Sequence, residues 1–422
     1  MSVVIEKPYT FVPPRRGDLW PTLIQRFRLF DIYLRRKEGV VSFECRHADR
    51  LRDSLRAGHG ILLAPNHCRY ADPLVLGWLA RTVRTHVFAM ASWHLFNKSW
   101  FDRFSIPRMG GFSIFREGLD RQSLETAIEI LDTAARPLIV FPEGTTNRCN
   151  DRLQPLLDGV MFLARSAARR RSKRGAGKVV IHPVGIKYLF RGEILSWGEK
   201  AIAPLEDHLS WRQWPDLPLL ARVERVVQGL FSLKEVEYFG GTGSGSLPHR
   251  RDALIERLLR PAEEEAFGQT SSEPVLLRVR ACRAKIVQKL LAADSSEAVK
   301  EHLRRQAIDV ELAQKLDAYP SDYLAAGKVT ETRLLETIER MHEDLFGRGC
   351  NPSPLHAVID VDEGIEVDDQ RVPRDSEDPL LALLRQRLLR LLESLAAEAR
   401  PLPQLAVSSI ASSRLSSAIV AN

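Results

Sequence analysis

A chain of 422 residues, 44% hydrophobic and 27% charged, has the length and composition of a soluble protein of two or three domains with a sizeable core. Its net charge of +7 suits an acidic partner, such as anionic lipid or a phosphorylated substrate. No apolar run reaches the ~18 to 20 residues that cross a bilayer, and the five cysteines have no zinc or redox spacing, so they read as reduced thiols of a cytosolic protein.

The opening MSVVIEKPYTFVPPRRGD lacks the charged-then-apolar pattern of a secretory signal. Residues 18–37, DLWPTLIQRFRLFDIYLRRK, repeat Trp20, Leu23, Ile24, Phe27, Phe30 and Leu34 at helical spacing behind Asp18 and Pro21, which predicts one helix. Arg26, Arg28, Arg35 and Arg36 occupy much of its remaining surface. Such a helix either packs on a core or lies in a membrane interface.

From 40 to 190, strand and helix patterns alternate. GILLAPNH (60–67) reads as a short buried strand ending in a polar turn. DPLVLGWLA (72–80) opens a helix, with Asp72 as N-cap and Pro73 in its first turn. RTHVFAMA (84–91) is a strand and RQSLETAIEILDTA (121–134) an amphipathic helix. RPLIVFPEGT (136–145) is a strand running into a Gly turn, LLDGVMFLARSAARR (156–170) a helix, and KVVIHPVGIKY (178–188) a strand. This alternation predicts an α/β fold with a largely parallel sheet flanked by helices. Sites in such sheets form where strands end and helices begin.

Beyond residue 200 the pattern is helical to about 352, which predicts a helical insertion or an additional helical domain. GGTGSGS (240–246) lacks the Lys-Ser/Thr of a phosphate-binding loop and reads as a linker. LHAVIDVDEGIEVD (355–368) returns to strand character, and DPLLALLRQRLLRLLESLAAEA (378–399) is an amphipathic helix. The expected division is an N-terminal helical segment (1–39), an α/β domain (40–200), the helical region (201–352), a return strand with a final helix (353–400), and a disordered tail (401–422).

The chemistry concentrates in NHCRYAD (66–72). A histidine acts as a general base when one ring nitrogen is free and a carboxylate holds the proton on the other; His67 and Asp72 are spaced to do this across a strand-to-helix turn. GGFSIFRE (110–117) brings Arg116, and FPEGTTNR (141–148) brings Glu143, Gly144, Thr145, Thr146 and Arg148. Backbone N–H groups, hydroxyls and arginines together suit a phosphate.

In this order and spacing, NHxxxxD, the Gly-to-Arg block ending at Arg116, FPEGT and a strand with central Pro183 resemble the glycerophospholipid acyltransferase family, over about residues 40 to 190. The resemblance implies that His67 takes a proton from an acceptor hydroxyl while Asp72 orients it. The hydroxyl then attacks an acyl thioester, carried by coenzyme A or an acyl-carrier protein as co-substrate, with no enzyme nucleophile, metal or cofactor. Arg116, Glu143, Gly144 and Thr145 fall at the family's positions for the glycerol-phosphate part of the acceptor, with Glu143 expected to orient Arg116 or a substrate hydroxyl. Phosphatidate-forming members carry Arg directly after Glu-Gly-Thr. Here Thr146 stands there, which resembles the relatives that acylate lysophospholipids bearing a head group, or glycerol-phosphate itself, with Arg148 as the substitute cation. A membrane-surface partner follows, with a cytoplasmic location at the inner face of the membrane in phospholipid biosynthesis or remodelling. The segment VDEGIEVD resembles the end of the same domain, which would make residues 201 to about 352 an insertion within it.

The competing readings are an acyl-thioester hydrolase using the same pair on water, and a non-catalytic lipid-binding protein. Cys68 beside His67 reads as a small buried side chain, since adjacent residues on an extended strand end point opposite ways. His86, His94 and His182 read as structural, and Asn66 as a residue that fixes the turn. The basic run ARSAARRRSKRGAGK (164–178) is a solvated helix end or a lipid-facing patch. Without interleaved aromatics it does not point to nucleic acid.

Overall fold

The computed structural model describes residues 7–292, 296–325, 327–350, 354–370, 372–373 and 378–407. Its strands are β1 (Val40–Arg46), β2 (Gly60–Pro65), β3 (Phe88–Ser92), β4 (Gly111–Ile114), β5 (Leu138–Ile139), β6 (Val179–Phe190), β7 (Leu355–Val361) and β8 (Ile365–Val367). The first half carries helices α1 (Leu19–Arg26), α2 (Leu29–Lys37), α3 (Ala48–Arg56), α4 (Asp72–Thr82), α5 (Trp100–Arg108), α6 (Arg121–Thr133) and α7 (Gly159–Lys173). Between β6 and β7 run α8 (Ile194–His208), α9 (Leu219–Phe239), α10 (Leu247–Phe267), α11 (Val275–Leu290), α12 (Glu297–Asp317) and α13 (Glu331–Phe346); α14 (Pro379–Ala396) and α15 (Gln404–Val407) follow β8.

The strands form one sheet in the order β1-β7-β6-β2-β5-β3-β4, with β8 on β6. All ladders are parallel except β6 with β7 and with β8. The expected α/β class is the observed one. The centre is continuous apolar chain because both faces are covered. On β2, Ile61 and Leu63 face one core with α4, while Leu62 and Ala64 face a second core with α6, α7 and α14. The helices between β6 and β7 join the first of these cores.

Three local differences from the sequence reading have physical causes. The helix expected over 18–37 is two: Arg28 at φ 51 breaks it, and α2 turns Phe30 against Gly77 of α4, where an added Cβ would stand 2.8 Å from the ring. The strand expected over 136–145 keeps ladder pairing only at Leu138–Ile139; Pro142 has no N–H to offer a neighbour, and Gly144 turns the chain at φ 70. The return strand is two strands, both antiparallel to β6: β7 along Val184–Phe190 and β8 along Val179–Ile181. Gly364 lets the link between them close, because a Cβ there would meet Val180 Cγ1 at 2.3 Å. Residues 401–407, expected in the disordered tail, are ordered, with Leu402 and Ala406 buried. Residues 408–422 of that tail lie outside the described residues.

Candidate functional site

The motif loops leave the carboxyl ends of three parallel strands: 66–71 from β2, 115–120 from β4 and 140–158 from β5. The sheet thus gathers residues distant in sequence at one edge, where α/β sheets place their sites.

His67 Nδ1 lies 2.8 Å from Asp72 Oδ2. An ionised carboxylate only accepts, so this contact assigns the proton to Nδ1, and in the neutral imidazole Nε2 is the acceptor. Asp72 is fully buried, and Oδ2 also accepts from Arg69 N at 2.9 Å while Oδ1 accepts from the Tyr188 hydroxyl at 2.7 Å. Phe141 stacks on the imidazole, centroids 3.9 Å apart. Facing Nε2 at 3.1 Å is the Thr146 hydroxyl, which donates to it in that neutral tautomer. A side-chain hydroxyl thus occupies the place where a base of this kind meets its proton donor.

Glu143 is buried, and among the described residues its hydrogen-bond partners do not include Arg116. Its Oε1 accepts from His67 N at 2.7 Å, and its Oε2 from Asn147 Nδ2 at 2.9 Å and Gln154 N at 2.8 Å. Burial pushes Glu143 up to about 8, against the N–H donors from Gln154, His67 and Asn147 that favour the anion. This carboxylate ties the loop after β5 to the backbone of His67, and Arg116 finds its partner elsewhere. Arg116 reaches Gly144, with Nη1 donating to the Gly144 carbonyl at 2.7 Å. The Thr145 hydroxyl accepts from Gln314 Nε2 of α12 at 3.1 Å. Arg148 forms an ion pair with Glu343 of α13 and lies over the Tyr70 ring, so its charge is already countered.

Helices α11 to α13 cover these loops. Arg69 pairs with Glu339, Arg152 Nη2 with Asp317 Oδ1 at 3.1 Å, and Arg340 Nη2 donates to the Arg148 carbonyl at 2.7 Å. Deeper in, Lys187 of β6 is ion-paired to Asp151, whose other oxygen accepts from Arg333 Nε of α13 at 2.7 Å.

The remaining candidates have structural partners. Burial raises the Cys68 thiol well above its usual range, the reverse of an activated nucleophile. His86 bonds to Thr22, His94 to Ser92, and His182 to Ser54 and the Asp362 carbonyl. Asn66 bonds both ways to the Ile186 backbone, fixing the turn against β6. In the basic run, Arg165 pairs with Asp378, Arg170 with Glu125 and Arg174 with Asp132, while Arg171 serves backbone carbonyls. Among the described residues, no group of three or more His, Cys, Asp or Glu is gathered as a metal site.

Sequence reasoning missed Tyr188 and the contact that Thr146 makes. Tyr188 carries no motif; only the register of β6 beside β2 aims it at Asp72. Tyr188→Phe leaves one carboxylate oxygen without its strongest donor, and a hydrogen bond to a charged group is worth roughly 1.5–3 kcal/mol. With His67 acting as a base and part of that loss felt in the transition state, kcat is expected to fall about tenfold with KM little changed. A pH–rate profile and steady-state constants of the variant check this; an unaltered kcat would show that Asp72 is held without Tyr188.

Residues 45–187 match the family model described as Acyltransferase, a span that contains His67, Asp72, Arg116, Glu143 and Thr146 and ends before the helices that cover them. Neither the curated proteins nor the solved structures contain a match.

Proposed function

We propose, from the premise that residues 45–187 form a domain of the acyltransferase family, that this protein moves a fatty acyl group from an acyl thioester to the hydroxyl of a lysophospholipid or glycerol-phosphate acceptor. The family domain supports a general acyltransferase role. The observation that carries the finer reading is the His67–Asp72 pair with its free nitrogen turned to a hydroxyl.

In this reading the acceptor hydroxyl displaces the Thr146 hydroxyl at Nε2. His67 takes its proton, and the oxygen attacks the thioester carbonyl. The C–S bond then breaks, and the leaving sulfur recovers the proton from the imidazolium, whose charge Asp72 stabilises. Base catalysis of this kind contributes roughly 10²- to 10⁴-fold. Positioning supplies much of the rest, through the Glu143 bond that fixes the base against the loop after β5. Arg116, Gly144 and Thr145 line the acceptor side. Incubating the purified protein with labelled acyl-CoA or acyl-carrier protein and a panel of acceptors tests this. An acylated lipid supports the reading; free acid released equally without acceptor would support a hydrolase instead.

Such an acceptor is amphiphilic and must be drawn from a bilayer. No helix among the described residues is long and apolar enough to cross one. Exposed apolar side chains suit the interface instead: Trp100 at 77% and Phe101 at 64% exposure on α5, with Leu19, Trp20, Phe27 and Ile32 also exposed along 19–32. Trp20 and Trp100 both pack on Phe104, which joins α1 to α5 in one aromatic surface, with Arg108 over the Trp20 and Phe104 rings. Lys98, over the Tyr70 ring, links this patch to the loop of His67. Trp100→Ala combined with Phe101→Ala is expected to weaken co-sedimentation with anionic vesicles about tenfold or more while leaving the melting temperature unchanged; unaltered sedimentation would remove this surface from the reading.

A further inference from the structure

We propose that Arg280 and Arg283 of α11 complete an anion site with Arg116, and that this site selects acceptors carrying a phosphomonoester. The inference rests on the acyltransferase reading and names its acceptor.

The three guanidinium groups come from distant parts of the chain. Arg116 follows β4 and holds the Gly144 carbonyl, yet its Nε is enclosed and has no partner among the described residues. Arg283 Nη2 lies 3.3 Å from Glu117 Oε1. Arg280 is exposed, and among the described residues it makes neither an ion pair nor a hydrogen bond. Its Nη1 hangs over the Gly turn, 3.7 Å from where a Cβ on Gly144 would stand.

The charges do not balance. Among the described residues Glu117 is the carboxylate that acts on Arg116, Arg280 and Arg283, so these three guanidinium groups share one anion. The local field registers this excess. Burial, then Arg283 and Arg280, push Arg116 down to about 10, and burial with Arg116, Lys98 and Arg283 pushes His94 down to about 3. His94 therefore remains neutral and adds no charge of its own. A phosphomonoester carries about −1.5 to −2 at pH 7, which offsets more of the charge left over on the three guanidinium groups than the single negative charge of a head-group diester.

The position fits the reaction. Gly144, held by Arg116, lies two residues before Thr146, whose hydroxyl faces the base. A phosphate over the Gly turn and a hydroxyl at His67 would belong to one small acceptor. Helix α11, which carries Arg280 and Arg283, lies outside the matched span 45–187.

The test compares the wild type with Arg280→Ala and Arg283→Ala, using one acyl-CoA donor and two acceptors: 1-acylglycerol 3-phosphate, a monoester, and lysophosphatidylglycerol, a diester. The expected result is a KM for the monoester raised roughly ten- to a hundredfold in Arg280→Ala, with kcat nearly kept and the diester KM changed far less. Equal changes for both acceptors, or none, overturn the proposal. A higher KM for acyl-CoA but not for the acceptors, absent with acyl-pantetheine, assigns the arginines to the donor's phosphates and also overturns it. If the wild type acylates no acceptor, the reading of the function fails by itself, and calorimetry with glycerol 3-phosphate decides the site. Binding that Arg280→Ala weakens supports the site, and equal binding by wild type and variant, or none, ends it.

Discussion

His67→Ala is expected to lower the acyl-transfer rate by about 10²- to 10⁴-fold while the protein stays folded. In the proposed reaction the side chain supplies the Nε2 that takes the proton, and none of its neighbours offers a substitute base. Thr146 offers only a hydroxyl, and burial keeps the Cys68 thiol protonated. The fold survives because Asp72 keeps two donors, Arg69 N and the Tyr188 hydroxyl, when the imidazole is gone. Turnover with labelled acyl-thioester, set beside a thermal melt, reads both halves. A variant that melts like the wild type and still transfers acyl groups at the wild-type rate would remove His67 from the chemistry.

The second large effect is on stability. Asp151→Asn is expected to cost about 3–5 kcal/mol at pH 7, because it leaves Lys187 charged, enclosed and unpaired. Removing one partner is costlier than the pair is worth, since the remaining cation has already lost its water. Burial alone would raise the Asp151 carboxyl, but Lys187 and Arg333 outweigh it and hold the carboxyl below its usual range. A carboxyl depressed in the folded state adds stability above its unfolded pKa, which for Asp is about 3.9, and loses it as pH falls through the native value. The gap between wild type and variant should therefore be full at pH 7 and should narrow below about pH 4. Urea titrations at both pH values measure it. A gap under about 1 kcal/mol at pH 7 would mean that water reaches Lys187 and that the pair behaves like a surface one.

How far the sequence could be read differs from residue to residue. The sheet and the His67–Asp72 pair were legible because both depend on local spacing: alternating apolar runs, and two groups five residues apart on a strand-to-helix turn. The orientation of Glu143 was not legible. A carboxylate beside a Gly turn looks the same in sequence whether it faces an arginine or the backbone N–H of a residue 76 positions earlier. Arg148 shows the same limit, since its charge reads as available until Glu343, far along the chain, is found against it. The break at Arg28 was hidden because both halves of 18–37 keep helical spacing; the packing of Phe30 on α4 decides it. Tertiary partners, more than propensities, separate these cases.

The antiparallel seam between β6 and β7 has a consequence for biogenesis. A ribosome releases β6 long before β7, and at about 5–20 residues per second the intervening stretch takes roughly ten to thirty seconds to make. During that interval the Val184–Phe190 edge, which β7 later covers, has no strand beside it. An apolar edge left open is a template for pairing with another chain. The helices α8 to α13 emerge in the same interval and fold against the adjoining core, so they are placed to shield the nascent sheet until its last strands arrive.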